Sequence, residues 1–255
     1  MRRIVLSICL CAIILTANAQ QAGFGFVVGI PQTEFRKATK AEGYGINVTA
    51  MFPIGSEVIN FGGNINYMVY GYNSQDKDLR ADITVGNTVI DQIFIPLRVV
   101  NTSSIFGMHA MMRITAPTDG IRPYFEGLFG FRYLSTSTRI EVREDNFWTT
   151  NNDDDNVLVR KTNIGDFVMS YGGGGGLQIE IGDNAYLDLR AYYLLGGKAK
   201  FYDGSDTKRW DVTFTDTLDN YDPNNLDSND FSFGGTPRES TTDMLMTQVG
   251  ITFKF

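Results

Sequence analysis

The chain has 255 residues, a formal net charge of −7, a single histidine and two cysteines. That acidity argues against nucleic acid as a partner, because phosphate binding needs clustered Lys and Arg. Glycine (27 residues) and aromatics (18 Phe, 12 Tyr) are plentiful while mean hydropathy is slightly negative, a balance suited to strands with one apolar face, one polar face and hydrophilic loops.

Residues 1–19 have the form of a cleaved secretory signal. Arg2 and Arg3 give a positive start, Ile4 to Leu15 an apolar stretch, and Ala17-Asn18-Ala19 a small-x-small site before Gln20. The apolar stretch is far short of the roughly 20 residues a membrane-spanning helix needs. Cys9 and Cys11 both fall in this segment, preceded by Ile8 and Leu10 rather than the small residue that lipid attachment requires. The mature chain, 20–255, then carries a net charge of −9 after loss of the two arginines. It has no cysteine, which excludes disulfides and thiol catalysis.

Alternation with a period of two, the signature of a strand, recurs near 22–31, 42–53, 58–72, 97–114, 121–138, 165–181, 185–202 and 242–255. In the second strand Tyr44, Ile46, Val48 and Phe52 share a face opposite Gly45, Asn47, Thr49 and Met51. In the third, Ile59, Phe61, Ile65 and Tyr67 oppose Asn60, Asn64 and Asn66. In the fifth, Phe125, Phe129, Phe131 and Tyr133 oppose Arg122, Glu126 and Arg132. In the seventh, Leu187, Leu189, Ala191 and Tyr193 oppose Asp188, Arg190 and Tyr192. The last strand puts Leu245, Val249, Ile251, Phe253 and Phe255 on one face, and Met246, Gln248, Gly250, Thr252 and Lys254 on the other.

Short turns at 53–56, 116–120 and 182–184 alternate with longer connections at 32–41, 73–96, 139–164 and 203–241. In the second of these, Asp82 to Val85 and Thr88 to Ile90 flank Gly86-Asn87, a hairpin signal that extends strands three and four outward. The pattern predicts an all-β, eight-stranded antiparallel up-and-down barrel crossing a bacterial outer membrane, with termini periplasmic and the four long loops extracellular. Closure follows because an open sheet edge in lipid would leave backbone groups unpaired. A soluble barrel would fill its interior with apolar side chains. Here the polar face carries Arg113, Arg122, Glu126, Arg132, Glu180, Asp188, Arg190 and Lys254.

The stretches Ile121-Arg122-Pro123-Tyr124-Phe125-Glu126-Gly127-Leu128-Phe129-Gly130-Phe131, Tyr171 to Leu177 and Leu187-Asp188-Leu189-Arg190, with the Phe255 ending, resemble the eight-stranded outer-membrane β-barrel proteins common in Bacteroidetes. Those are related in architecture to the small OmpA- and OmpX-type barrels. The resemblance implies location and assembly rather than a reaction. It implies that Phe253 and Phe255 form the signal read by the barrel-assembly machinery, and that outer-membrane lipid and lipopolysaccharide surround the barrel.

The glycine run Gly172 to Gly176 continues into Leu177-Gln178-Ile179-Glu180, a strand rather than a helix, and no Lys-Ser/Thr follows. It is therefore not a phosphate loop. Bare backbone there lets a narrow barrel bend and leaves room for large neighbours. The eight inward charges are expected to form a salt-bridged network plugging the lumen, with a narrow ion path as the alternative. His109 faces inward with Gly107, Met111 and Arg113. Its own strand offers no serine in reach, so a hydrolase or acyltransferase centre would need a partner from another strand.

Residues 141–155 and 203–230 hold fourteen of the 29 acids. Asp153, Asp154 and Asp155, and Asp219, Asp222, Asp227 and Asp230, are candidate weak Ca²⁺ ligands, although no stretch has the calcium-loop pattern. Acids of this kind ordinarily keep loops hydrated. Trp148 and Trp210 lie among them and are candidate ligand anchors, or loop packing groups. No other cofactor is indicated, and a monomer suffices. The leading expectation is a surface structural, adhesive or ligand-contacting protein. A small pore or accessory of an export system comes second, and a lipid-modifying enzyme centred on His109 third.

Overall fold

A computed structural model describes residues 20–85, 88–142, 157–207, 212–214, 231–233 and 235–255. Eight strands close into an antiparallel barrel: β1 (Gln21–Pro31), β2 (Gly43–Ile54), β3 (Ser56–Val85), β4 (Thr88–Thr115), β5 (Ile121–Val142), β6 (Val157–Gly182), β7 (Ala185–Gly196) and β12 (Met244–Lys254). Each pairs with its chain neighbour, and β1 pairs with β12 to complete the ring, in a register running from Gln21↔Lys254 to Pro31↔Met244. The short strands β8 (Lys198–Phe201) and β11 (Arg238–Thr241) pair with each other outside the ring, as do β9 (Val212–Phe214) and β10 (Phe231–Phe233). Two short helices, α1 (Thr33–Ala38) and α2 (Gly204–Thr207), lie in the longer connections.

Turn chemistry sets one end of the barrel. Gly55 and Gly120 take the left-handed region at φ 70° and 75°, and Asn184 joins them at φ 86°. These are the three short connections, and only residues that tolerate positive φ make so tight a reversal cheaply. At the other end the strands are unequal. β3 and β4 are 30 and 28 residues long and stay paired out to Val85↔Thr88, so these two strands run outward together as the sequence predicts; the Gly86-Asn87 turn itself lies outside the described residues. β5 and β6 also run past their predicted ends, pairing to Glu141↔Val157. Conversely, β7 stops at Gly196 rather than continuing to 202. There the Gly197 amide bonds the Met169 carbonyl, and the chain leaves the wall to form β8.

Alternation decides what faces in and out. An outward band carries Phe26, Phe125 and Phe167 at 75%, 77% and 67% exposure, with Tyr44, Phe61, Met112 and Phe129 also exposed. The inward face is not only polar. Met51, Met68, Met111, Leu128, Leu194 and Met246 form a buried apolar layer inside the ring. Unbranched methionines fit the irregular space that a narrow, tilted barrel leaves.

Candidate functional site

Four of the eight predicted interior charges meet in one buried cluster near the short-turn end. Glu126 of β5 is bridged by two arginines: Arg113 Nη2 reaches its Oε2 at 2.9 Å, and Arg190 Nε of β7 donates to its Oε1. Arg113 Nη1 also lies 3.4 Å from Asp188 Oδ2, while Tyr124 and Thr252 donate to Asp188 at 2.5 and 3.2 Å. Arg190 spends its remaining donors on Gln248 Oε1 at 3.2 Å and Met111 Sδ at 3.1 Å. The Arg113 guanidinium stacks 3.8 Å over Tyr124 and that of Arg190 4.3 Å over Tyr192.

The glycine run makes this meeting possible. Glu126 and Tyr124 lie on β5 and Arg190, Tyr192 and Asp188 on β7, with β6 between them. The intervening inward positions are Gly174 and Gly176. A Cβ at Gly176 would overlap the Tyr124 hydroxyl, and one at Gly174 would stand 2.5 Å from Tyr192 Cβ. Side chains from β5 and β7 therefore touch across a strand that has none of its own there.

Arg122, Glu180 and Lys254 do not join this cluster. They share the inward parity, but they sit at the short-turn end where the wall stops: Arg122 and Lys254 are half-exposed and Glu180 is exposed. Arg122 lies over the Tyr186 ring at 5.7 Å instead. Water reaches charges at a barrel rim. Arg132 is fully buried but separate, donating from Nη2 to the Thr242 carbonyl at 2.5 Å.

His109 has the cross-strand partner its own strand lacks. Its Nε2 lies 2.6 Å from Ser170 Oγ of β6, both side chains buried. The two positions flank Gly130 in one row of the sheet, and the missing side chain there opens the path between them. Among the described residues His109 Nδ1 meets no carboxylate and no other hydrogen-bond partner. No acid among the described residues stands where it would orient a catalytic imidazole.

At the opposite mouth a group of side chains that sequence reasoning did not single out packs together. Phe35 of α1, at 0% exposure, packs edge-on to Phe201 (5.1 Å) and Tyr70 (6.2 Å), and those two rings lie 6.5 Å apart. Polar bonds tie the loops together above them. Thr39 Oγ1 donates to Asp203 Oδ1 at 2.7 Å, the Ser205 amide donates to Asp203 Oδ2 at 3.2 Å, and Arg238 pairs with Asp206 at 2.6 Å. Arg238 also donates to the Ala38 carbonyl. Burial pushes the Asp203 carboxyl upward, but the bonds from Ser205 and Thr39 and the nearby Arg238 charge outweigh it and hold it below the ordinary carboxylate range. An open groove of about 570 Å³ runs along this cap, lined by Glu34, Lys37, Lys198, Arg238, Glu239 and Ser240.

The remaining candidates, Trp148, Asp153, Asp154, Asp155, Trp210, Asp219, Asp222, Asp227 and Asp230, lie outside the described residues. Phe253 and Phe255 stand exposed on the outer face of the closing strand region. Among the described residues no group of three or more His, Cys, Asp or Glu side chains is arranged to hold a metal ion.

No protein-family model and no curated protein matches the chain. Several solved structures are similar to it. One is Ail, the attachment invasion locus protein of Yersinia pestis, at 11% identity over 92% of this chain and 97% of that one, with a TM-score of 0.41. The same protein in complex with the heparin analogue sucrose octasulfate matches at 11% identity with the same coverage and a TM-score of 0.42. Neisserial surface protein A (NspA) matches at 11% identity over 92% of this chain and 95% of that one, with a TM-score of 0.37. At such identity and overlap the likeness carries no role over to this chain.

Proposed function

We propose that residues 20–255, exported by the 1–19 leader, form an integral outer-membrane barrel with a closed lumen, which acts at the cell surface as a structural, adhesive or ligand-contacting protein through the cap at its mouth. The observation that carries this reading is the pairing of a filled interior with an ordered, charge-lined groove above it. Below the groove, the Phe35–Tyr70–Phe201 cluster, the methionine layer and the Arg113–Glu126–Asp188–Arg190 cluster leave the inward side chains of each level buried. The exposed aromatic and aliphatic band supports the membrane location, since water-soluble surfaces do not present so many large apolar side chains in one belt.

Mixed charge on Glu34, Lys37, Lys198, Arg238 and Glu239 suits a ligand with both donors and acceptors rather than a uniform polyanion. Lipopolysaccharide surrounds the barrel in this reading, the assembly machinery reads the Phe253–Phe255 end, and the working form is a monomer. The test is single-channel conductance of the refolded mature barrel in a planar bilayer, with folding verified by a heat-dependent gel shift. A silent bilayer supports a closed lumen and a role at the mouth. Steady discrete conductance overturns it and makes transport the reading. Adherence of whole cells should then fall when Lys37 and Arg238 are both replaced by Glu; unchanged adherence would remove the groove from the account.

A further inference from the structure

The groove at the mouth has two walls, and both are braced. One wall is the face of α1 that carries Glu34, Lys37 and Ala38, spaced so that the three side chains lie together on the helix. The other is the β8–β11 ribbon, with Lys198 and Glu239 on its exposed face. At one end Arg238 Nη1 donates to the Ala38 carbonyl, and Asp206 holds the same guanidinium at 2.6 Å. At the other end Thr241 Oγ1 donates to Glu34 Oε2 at 3.4 Å. These ties set the width of the groove before anything enters it, and a preformed site loses less freedom on binding.

The same ties divide the charges of the groove into used and unused. Glu34 and Arg238 are committed to the walls. Among the described residues Lys37, Lys198 and the Glu239 carboxylate make no ion pair and no side-chain hydrogen bond. Two cations and one anion leave the unused set with one net positive charge. The backbone adds a donor and an acceptor. Glu239 is paired with Lys200, whose amide turns out of the ribbon to Asp166 Oδ2 at 2.9 Å. Lys200↔Glu239 is thus a pair without ladder bonds, so the Glu239 amide and carbonyl turn outward on the opposite side, toward α1. The Thr241 amide, two residues on, faces the same way and reaches Glu34 Oε2 at 3.5 Å. Of the lining side chains only Ala38 is apolar.

We propose that this groove binds a saccharide unit bearing a single anionic group, a carboxylate or a phosphate ester, as at the acidic end of a glycan. The inference rests on the reading of the groove as the ligand-contacting part of the mouth. Lys37 and Lys198 take the anionic group, and the outward Glu239 amide is a further donor to it. The Glu239 carboxylate and carbonyl accept from ring hydroxyls. One negative charge answers the net charge of the unused groups, whereas a polyanion would set its further charges against Glu34 and Glu239. A lining with one small apolar side chain has no pocket for an acyl chain or for the aromatic and aliphatic anchors of a peptide. A hydroxyl-rich ring needs no such pocket. At about 570 Å³ the groove has the size of ordinary small-ligand sites, roughly 300–1,000 Å³.

The test is calorimetric titration of the full mature barrel, refolded in detergent, with sialyllactose (a trisaccharide with one carboxylate), with lactose as its neutral core, and with glucose 6-phosphate. Binding of an anionic sugar is expected, and Lys37→Met and Lys198→Met should each weaken it about fivefold. Neither lysine belongs to a tie between the walls, so both variants keep the cap. Lactose should bind the parent no better than sialyllactose binds the double variant. Competition by the sugar portion released from the cell's own lipopolysaccharide distinguishes a ligand in the home membrane from one on a foreign surface. The proposal is overturned if neither anionic sugar binds, or if lactose and the lysine variants bind as tightly as the parent pair. If neither sugar binds while adherence still falls in cells carrying Lys37→Glu with Arg238→Glu, this ligand class is wrong and the reading of the mouth stands; unchanged adherence removes that reading itself.

Discussion

Glu126 is the most consequential single side chain in the barrel. Its two carboxylate oxygens serve two different arginines, and the side chains of Arg113 and Arg190 are 1% and 0% exposed. Glu126→Ala leaves Asp188 as the sole carboxylate of the cluster, already 3.4 Å from Arg113 and engaged by Tyr124 and Thr252. Arg190 would keep only Gln248 and Met111. Removing one partner of a buried ion pair costs about 3–5 kcal/mol, because the survivor stays desolvated. The comparison pair is Arg98–Asp76, 3.0 Å apart with both side chains 46% exposed, for which Asp76→Ala should cost about 0–1 kcal/mol. Urea titration of the refolded barrel in detergent micelles, read by the heat-dependent gel shift, measures both. A double change, Glu126→Leu with Arg190→Met, removes the charge together with its counter-charge and should recover much of the loss. If Glu126→Ala unfolds within about 1 kcal/mol of the parent, water reaches the cluster and the closed-lumen argument fails.

The glycine run gives a second prediction. Gly176→Leu forces the Tyr124 hydroxyl off Asp188 and should destabilise the barrel by about 1–3 kcal/mol, whereas Gly127→Ala, outward with nothing within 4 Å of the new Cβ, should be neutral in the same urea assay. Phe35→Ala empties the centre of the aromatic seal and should expose the 32–42 and 203–241 connections to protease while leaving the barrel resistant; cleavage identical to the parent would show that the polar ties alone hold the cap. The Asp203 carboxyl is held below its ordinary value in the folded chain, so its contribution is present above the unfolded pKa of about 4 and is lost as pH falls through the lower folded value. Hydrogen exchange at Thr39 and Ser205 should therefore quicken only in acid below that range, and Asp203→Asn should remove the pH dependence.

Much of this architecture is legible in the residues. Alternation in β2, β3, β5 and β7 fixes which side chains face inward, because a strand's period is set by its backbone whatever it pairs with. Gly55, Gly120 and Asn184 mark the short turns, since few residues accept positive φ. The Gly86-Asn87 signal between Val85 and Thr88 foretold that β3 and β4 run outward together. Parity also brought Arg122, Glu180 and Lys254 into the expected interior set, but parity says nothing of depth, and at the rim an inward direction is not burial.

What the sequence by itself determined is therefore the direction of each side chain and the order of the strands, both local properties of the backbone. Only the closed ring decided which inward groups meet. Glu126 finds Arg190 across a strand of bare glycine, His109 finds Ser170 over Gly130, and Phe35 finds Tyr70 and Phe201 from elements far apart in the chain. Those meetings depend on register, on the stagger that closure imposes, and on where glycine leaves the wall empty. No single strand carries that information, because contact across a barrel is a property of several strands placed together.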